Sequence, residues 1–296
     1  MKNTIFTGAG VAIVTPFNDD FSVNFDKLGE LIDWQIANGT DAIVICGTTG
    51  EASTLGDEEH SECIRFAVEK TAGRVPVVAG TGSNDTAYSL WLSQEAQNHG
   101  ADALLQVTPY YNKCSQAGLV KHFCYIADRV DLPMVLYNVP SRTGMCIAPE
   151  TYLELSKHPN IVATKEASGD ISAIVKMKAL CGDGMALYSG NDDQVAALMG
   201  LGGIGVISVL SNVAPRQCKE ITSGALAGNQ AATVAAQLKY LELCNDLFCD
   251  VNPVPVKEAL NLMGMNVGEP RMPLCDLEPG NLEKLKEAMK NVGLLK

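Results

Sequence analysis

Lys165 is the residue with the clearest capacity for chemistry. It stands near the end of an apolar, β-branched run, Ile161-Val162-Ala163-Thr164-Lys165-Glu166, and a period of two puts its side chain on the face shared with Ile161 and Ala163. A parallel strand covered on both sides has no wet face. An amine among apolar neighbours loses the hydration of its charged form, so its pKa falls and a useful fraction becomes the neutral nucleophile at neutral pH. Such an amine attacks a ketone. The competing reading is a lysine whose head snorkels out of the strand end or pairs with Glu166.

Three further stretches carry groups that suit such chemistry. Cys46-Gly47-Thr48-Thr49-Gly50-Glu51 combines glycines for a tight turn with two hydroxyls and exposed backbone amides, a set that fits a small carboxylate. Its alternative is an ordinary strand-to-helix connection. Val107-Thr108-Pro109-Tyr110-Tyr111 and Leu136-Tyr137-Asn138-Val139-Pro140-Ser141-Arg142-Thr143-Gly144 bring phenols and a guanidinium. Tyr137 shares a strand face with Val135, and a buried phenol needs a polar partner unless it is a packed ring only. Arg142, just past a proline, can pair in bidentate fashion with a carboxylate, although surface arginines usually do no such thing. Ser189-Gly190-Asn191-Asp192 and Val206-Ile207-Ser208 offer bare backbone and small side chains, which leaves room for a ligand.

These groups need elements that deliver them to one place. Eight short apolar runs, at residues 9–17, 42–46, 75–79, 103–108, 134–138, 161–165, 186–189 and 205–210, alternate with amphipathic segments at 26–38, 57–71, 84–99, 116–129, 150–157, 171–180 and 194–199. Asp57 ahead of Glu58-Glu59 marks a helix start; Asn38-Gly39 and His99-Gly100 mark helix ends. Nearly continuous apolar character is what parallel strands between helices require. Eight right-handed βα units predict an α/β protein of the closed (β/α)8 TIM-barrel type, with its site at the C-terminal ends of the strands. Residues 213–228 are expected to form the last barrel helix, so the barrel spans 1–228 and a C-terminal helical region 229–296. Within that region Asn252-Pro253-Val254-Pro255-Val256 should interrupt the helices.

Composition narrows the function classes. The 296 residues are 47% hydrophobic and 19% charged, with a formal net charge of −12, which speaks against nucleic acid or an anionic membrane surface as partner. No apolar run of membrane-spanning length is present. The ten cysteines are scattered, with no Cys-x-x-Cys pair, and read as reduced thiols; with no secretory leader evident at the N-terminus, the expected location is the cytoplasm. His60, His99, His122 and His158 are isolated, so no metal is expected. The sequence has no Walker A signature, no dinucleotide fingerprint following the first strand and no Gly-x-Ser-x-Gly elbow, and no cofactor is expected.

Taken together, Gly47-Thr48-Thr49-Gly50-Glu51, Pro109-Tyr110-Tyr111, the stretch from Tyr137 to Gly144 and Lys165-Glu166-Ala167 resemble the 4-hydroxy-tetrahydrodipicolinate synthase (dihydrodipicolinate synthase) family. The resemblance spans essentially the whole chain, and four motifs in order are far more specific than any one. It implies a Schiff-base lyase that condenses pyruvate with L-aspartate 4-semialdehyde, the first committed step of lysine biosynthesis through diaminopimelate. Lys165 matches the Schiff-base lysine. Tyr137, Thr49 and Tyr111 match the proton relay, with Tyr111 reaching into a neighbouring subunit's site. Thr48 and Thr49 match the positions that hold the pyruvate carboxylate, Arg142 the one that receives the semialdehyde carboxylate, and Gly190 and Ile207 those that present backbone carbonyls.

The same resemblance implies a homotetramer built as a dimer of dimers. It also implies an inter-subunit pocket for feedback by lysine, at positions matching Ala52, His60, Asn84, Tyr88 and Tyr110. Here Asp57 and Tyr88 stand where lysine-sensitive relatives have histidine and glutamate, and Ala52-Ser53 inverts the usual order, so weak or absent inhibition is expected. Two other readings compete: a sugar-acid lyase related to N-acetylneuraminate lyase, whose turn typically reads Gly-Ser-Thr-Gly-Glu, and a keto-acid sensor that turns nothing over.

Overall fold

The computed structural model describes Lys2 and residues 4–296. Eight parallel strands close into a barrel in sequence order: β1 (Gly8–Ala12), β2 (Ala42–Ile45), β3 (Val77–Gly80), β4 (Ala103–Val107), β5 (Met134–Asn138), β6 (Ile161–Glu166), β7 (Ala186–Ser189) and β8 (Gly205–Ser208). Around it run α1 (Phe25–Ala37), α2 (Asp57–Thr71), α3 (Thr86–Asn98), α4 (Gln116–Ala127), α5 (Pro140–Thr143), α6 (Pro149–Leu155), α7 (Ile171–Cys181), α8 (Val195–Gly200) and α9 (Pro215–Leu226). Three more helices follow: α10 (Gln230–Asp246), α11 (Val254–Leu262) and α12 (Pro279–Asn291). The (β/α)8 barrel expected from the alternation is present. Among the described residues no helix is long and apolar enough to cross a membrane.

The alternation of side chains along each strand divides the apolar residues into two layers. Ile43, Ile45, Leu104 and Leu136 point outward and pack under the helices, while Val44, Leu105, Val135 and Tyr137 point into the barrel. The lower end is plugged by Phe6, stacked on Tyr188 at 4.5 Å, whose hydroxyl donates to the Phe6 carbonyl at 2.7 Å. Closure depends on glycine. At the β1–β8 seam Gly8 pairs with Gly205, and a Cβ on Gly205 would lie 2.2 Å from the Gly8 carbonyl oxygen.

Some boundaries differ from expectation. The first run, 9–17, is a strand only to Ala12; the rest crosses the barrel top as buried irregular chain, with the Thr15 hydroxyl donating to the Gly50 carbonyl at 2.7 Å. The N-cap of α2 is Gly56 rather than Asp57, and the Glu59 carboxylate reaches back to the Gly56 N–H at 3.1 Å. Pro253 and Pro255 separate α10 from α11 as expected, yet Pro255 itself lies in the first turn of α11, where a missing N–H costs nothing. The predicted sharing of a face by Ile161, Ala163 and Lys165 holds only for the last two. The register of β5 and β6 slips after Met134, so that Met134 pairs with Ile161 but Val135 with Ala163, and the extra residue sends Ile161 to the outer layer.

The C-terminal helices are tied to the barrel by polar contacts. Gln237 of α10 donates to the Asp192 carbonyl at 2.8 Å, and Lys257 of α11 meets Glu51 at 2.9 Å with both side chains buried. The Glu51 carboxylate also accepts from the Arg271 N–H at 2.8 Å, and Lys257 donates in addition to the Glu269 carbonyl. This lacing ends directly beside the loop of Thr48 and Thr49.

Candidate active site

The strand ends of β2, β5, β6 and β7 open into a cavity of about 370 Å³. Lys165, Tyr137, Thr48, Thr49, Arg142 and Gly190 line it, together with Asn191, Phe248, Asp250, Val251 and Asn252. Six of the residues singled out from sequence thus come together. Ile207 does not line the cavity; it is buried on β8. Tyr111 does not line it either.

Lys165 is only 6% exposed, and its Nζ lies 4.2 Å from the centroid of the Tyr137 ring, its register partner on β5. Burial, opposed by the pull of the Asp192 carboxylate and aided by the Arg142 charge, lowers the amine pKa to about 8. Snorkelling and pairing with Glu166 are both ruled out by this placement. The Glu166 carboxylate points the other way, accepting from Asn138 Nδ2 and the Tyr152 hydroxyl at 2.9 Å each and from the Ser168 N–H at 3.0 Å. Adjacent rungs of the β5–β6 ladder therefore carry an outward clamp, Asn138 with Glu166, and an inward pair, Tyr137 with Lys165. Gly190 gives the amine its space: a Cβ there would meet Lys165 Cγ and Cε at 3.1 Å and Ala167 Cβ at 2.8 Å.

Burial pushes the Tyr137 phenol up, opposed by the Arg142 charge and by the adjacent Thr48 hydroxyl, so the group keeps its proton at neutral pH. The loop carrying the two threonines is strained and is held by charge. Cys46 (φ 53°) and Glu51 (φ 54°) both sit in the left-handed region, which non-glycine residues rarely occupy, and the buried pair of Glu51 with Lys257 pins the far end. Within it Thr48 is exposed, whereas Thr49 is buried and its Oγ1 accepts from Asn252 Nδ2 at 3.0 Å. The two hydroxyls thus face different partners. Arg142, on the one-turn helix α5, donates from Nη2 to the Asn252 carbonyl at 3.1 Å.

Tyr111 is 92% exposed at the tip of a turn after β4, with φ 64°. Its neighbours hold the turn: the Asn112 N–H donates to the Tyr110 carbonyl at 2.8 Å and Asn112 Nδ2 to the Asn84 carbonyl at 3.0 Å. A second cavity of about 470 Å³ adjoins the first, with Thr48, Tyr137, Val139 and Arg142 common to both. Ala52, Ser53, His60, Tyr88 and Tyr110 line it, and Asn84 does not. The Tyr88 hydroxyl donates to Asp57 Oδ1 at 2.7 Å, and His60 Nε2 is taken up by the Gly80 carbonyl at 2.9 Å while burial lowers the imidazole pKa.

Sequence reasoning missed Asn252 and Asp192. Both are buried, and each keeps one side-chain oxygen without a hydrogen-bond partner among the described residues. Asn252 lies in the region read only as an appended set of helices, and its one signal was the unusual run of prolines around it. Asp192 follows Gly190 by two residues and accepts through Oδ2 from the Val209 and Leu210 N–H groups at 2.9 Å, fastening the end of β7 to that of β8.

Comparison with known proteins agrees with this geometry. Residues 5–292 match the model of the dihydrodipicolinate synthetase family. The chain is 56% identical over 293 residues to the 4-hydroxy-tetrahydrodipicolinate synthase of Thermoanaerobacter sp. (strain X514), covering 99% of this chain and 98% of the relative. It is 56% identical over 292 residues to that of Lachnoclostridium phytofermentans, covering 98% and 99%. The crystal structure of the chloride-inhibited dihydrodipicolinate synthase from Acinetobacter baumannii complexed with pyruvate superposes with a TM-score of 0.96 at 43% identity, covering 99% of this chain and all of that one. A buried amine at a barrel mouth, the motifs that surround it and full-length similarity converge: the chain belongs to the dihydrodipicolinate synthetase family.

Proposed function

We propose that the protein condenses pyruvate with L-aspartate 4-semialdehyde through a Schiff base on Lys165. The observation that carries this reading is the inward amine of Lys165, buried over the Tyr137 ring with its pKa lowered to about 8. About one such amine in ten is neutral at pH 7, against fewer than about one in a thousand for an ordinary lysine.

The neutral amine adds to the pyruvate ketone, and loss of water leaves an iminium. Removal of a methyl proton gives the enamine, whose carbon attacks the aldehyde. The product's own amine then displaces Lys165. Each step moves a proton, and the protonated Tyr137 phenol beside Lys165 is placed to give and take it. Thr48, open to the cavity beside that phenol, suits the next place in the relay better than Thr49, whose hydroxyl oxygen is engaged by Asn252. Thr49, with the backbone of the same loop, suits the pyruvate carboxylate, and Arg142 the carboxylate of the semialdehyde. Gly190 and Ile207 remain the proposed sources of backbone carbonyls.

Tyr111 completes the relay from a neighbouring subunit, which makes at least a dimer necessary, and a homotetramer is the proposed assembly. The cytoplasm is the proposed location. The shared name of the relatives favours condensation over sugar-acid cleavage and over a silent sensor. Tyr88 lines the second cavity and spends its hydroxyl on Asp57, and among the described residues that line the cavity there is no carboxylate for the ammonium of a lysine effector. Millimolar L-lysine should inhibit weakly or not at all, and strong inhibition at or below that level would refute the point.

The test is turnover of pyruvate with L-aspartate 4-semialdehyde by the purified protein, followed through a coupled reductase. Activity that vanishes in Lys165→Ala supports the reading. Absence of turnover in the unmodified protein refutes it.

A further inference from the structure

We propose that Asn252 is a positioning residue for pyruvate recognition, acting through the hydroxyl of Thr49; the inference deepens the reading above and rests on it. Asn252 comes from the chain between α10 and α11, far from the barrel in sequence, yet its side chain lies in the wall of the catalytic cavity and is 5% exposed. Its Nδ2 donates to Thr49 Oγ1 at 3.0 Å across 203 positions of sequence.

A threonine hydroxyl has one proton to give and two lone pairs to receive. With one lone pair occupied by the Asn252 N–H, the hydroxyl proton must point elsewhere, and among the described residues no group of the chain accepts it. Thr49 lines the same cavity as Lys165, so the free direction is toward the space where a keto acid sits when its ketone meets the amine. The amide thereby holds Thr49 as a donor toward an anion instead of letting it turn and act as an acceptor. A carboxylate accepts only, and a preset donor saves the cost of turning the hydroxyl on binding.

The same residue touches the other half of the site by a different atom. Arg142 Nη2 is bonded to the backbone carbonyl of Asn252, which every substitution preserves. Side-chain changes at Asn252 should therefore weaken pyruvate binding while leaving the contribution of Arg142 to the aldehyde partner in place. A merely structural role would damage both together.

The experiment measures the half-saturating pyruvate concentration for borohydride trapping on Lys165, which needs no aldehyde, together with KM for the semialdehyde. Asn252→Ala should raise the pyruvate value about tenfold, the scale of one hydrogen bond to a charged group, with semialdehyde KM changed less than about twofold. In a Thr49→Val background the same substitution should add less than about twofold, because the hydroxyl it orients is gone. Asn252→Asp keeps the shape, removes the donor and serves if the alanine variant does not fold; its loss should be at least as large. Unchanged pyruvate affinity in Asn252→Asp would mean that the amide accepts from Thr49, and additive losses in the double variant would mean that it acts by another route. Either result overturns the proposal and leaves the Schiff-base reading standing. Failure of the unmodified protein to trap pyruvate at all removes both.

Discussion

Lys165 and Tyr137 face each other across one rung of the β5–β6 ladder, with the amine 4.2 Å from the phenol ring centroid. The ring covers the amine and deprives it of water, while its electron-rich face tempers the cost of whatever charge remains. The balance is a lysine that is easier to deprotonate than one in water yet still responds to the charges of Asp192 and Arg142.

The first consequence is a pH profile. Only the neutral amine attacks, so the rate of borohydride trapping of pyruvate should rise with pH and level off above about 8. Asp192 stabilises the ammonium form, so Asp192→Asn should shift that rise to lower pH. A shift to higher pH would contradict the assigned sign.

Function at this position carries a stability penalty. The folded-state pKa lies below the unfolded one, so at pH 7 the folded protein holds a charged amine where charge is disfavoured, and the penalty fades only as pH rises from about 8 to 10.5. Lys165→Met should therefore stabilise the protein at pH 7 by up to about 3 kcal/mol, read by chemical denaturation, while abolishing trapping.

Gly190→Ala tests the space reserved for the amine. The backbone of Gly190 is not in the left-handed region, so alanine is permitted locally, but its Cβ would crowd Lys165 Cγ and Cε at 3.1 Å. Trapping should slow by about tenfold or more, since a displacement of about 1 Å from the reactive geometry has effects of that order, with the thermal midpoint lowered only modestly.

Lys257→Met should be costly in another way. It leaves the Glu51 carboxylate buried with the Arg271 N–H but without its cation, and breaking a buried pair from one side costs about 3–5 kcal/mol. Because Glu51 ends the threonine loop, pyruvate affinity should fall with stability. A variant as stable as the parent would show that the pair does not anchor the loop.

Tyr111, exposed at its turn, predicts complementation between subunits. Tyr111→Phe and Lys165→Ala variants should each be nearly inactive alone. Dissociated, mixed and reassembled, they should regain a measurable part of the activity, because a mixed pair holds one site with both an intact Lys165 and an intact Tyr111. No recovery would place Tyr111 outside the neighbouring site.

Much of this was legible in the sequence. Eight nearly continuous apolar runs alternating with amphipathic segments required parallel strands under helices, and the position of Lys165 near the end of the sixth, with threonines and tyrosines at or near the ends of others, required that they meet at one barrel mouth. Periodicity sufficed because strands covered on both faces leave a polar residue few places to go. What the tertiary structure alone decided are matters of register, closure and long-range contact. The one-residue slip beside Val135 turned Ile161 outward, which no reading of β6 by itself could reveal, because register is a property of two strands. The different hydrogen bonding of Thr48 and Thr49, identical in type and adjacent in sequence, depends on a side chain 203 positions from Thr49. Asn252 had no local signature of function because its role arises from folding the C-terminal helices back over the barrel, where a buried amide must find partners and Thr49 supplies one.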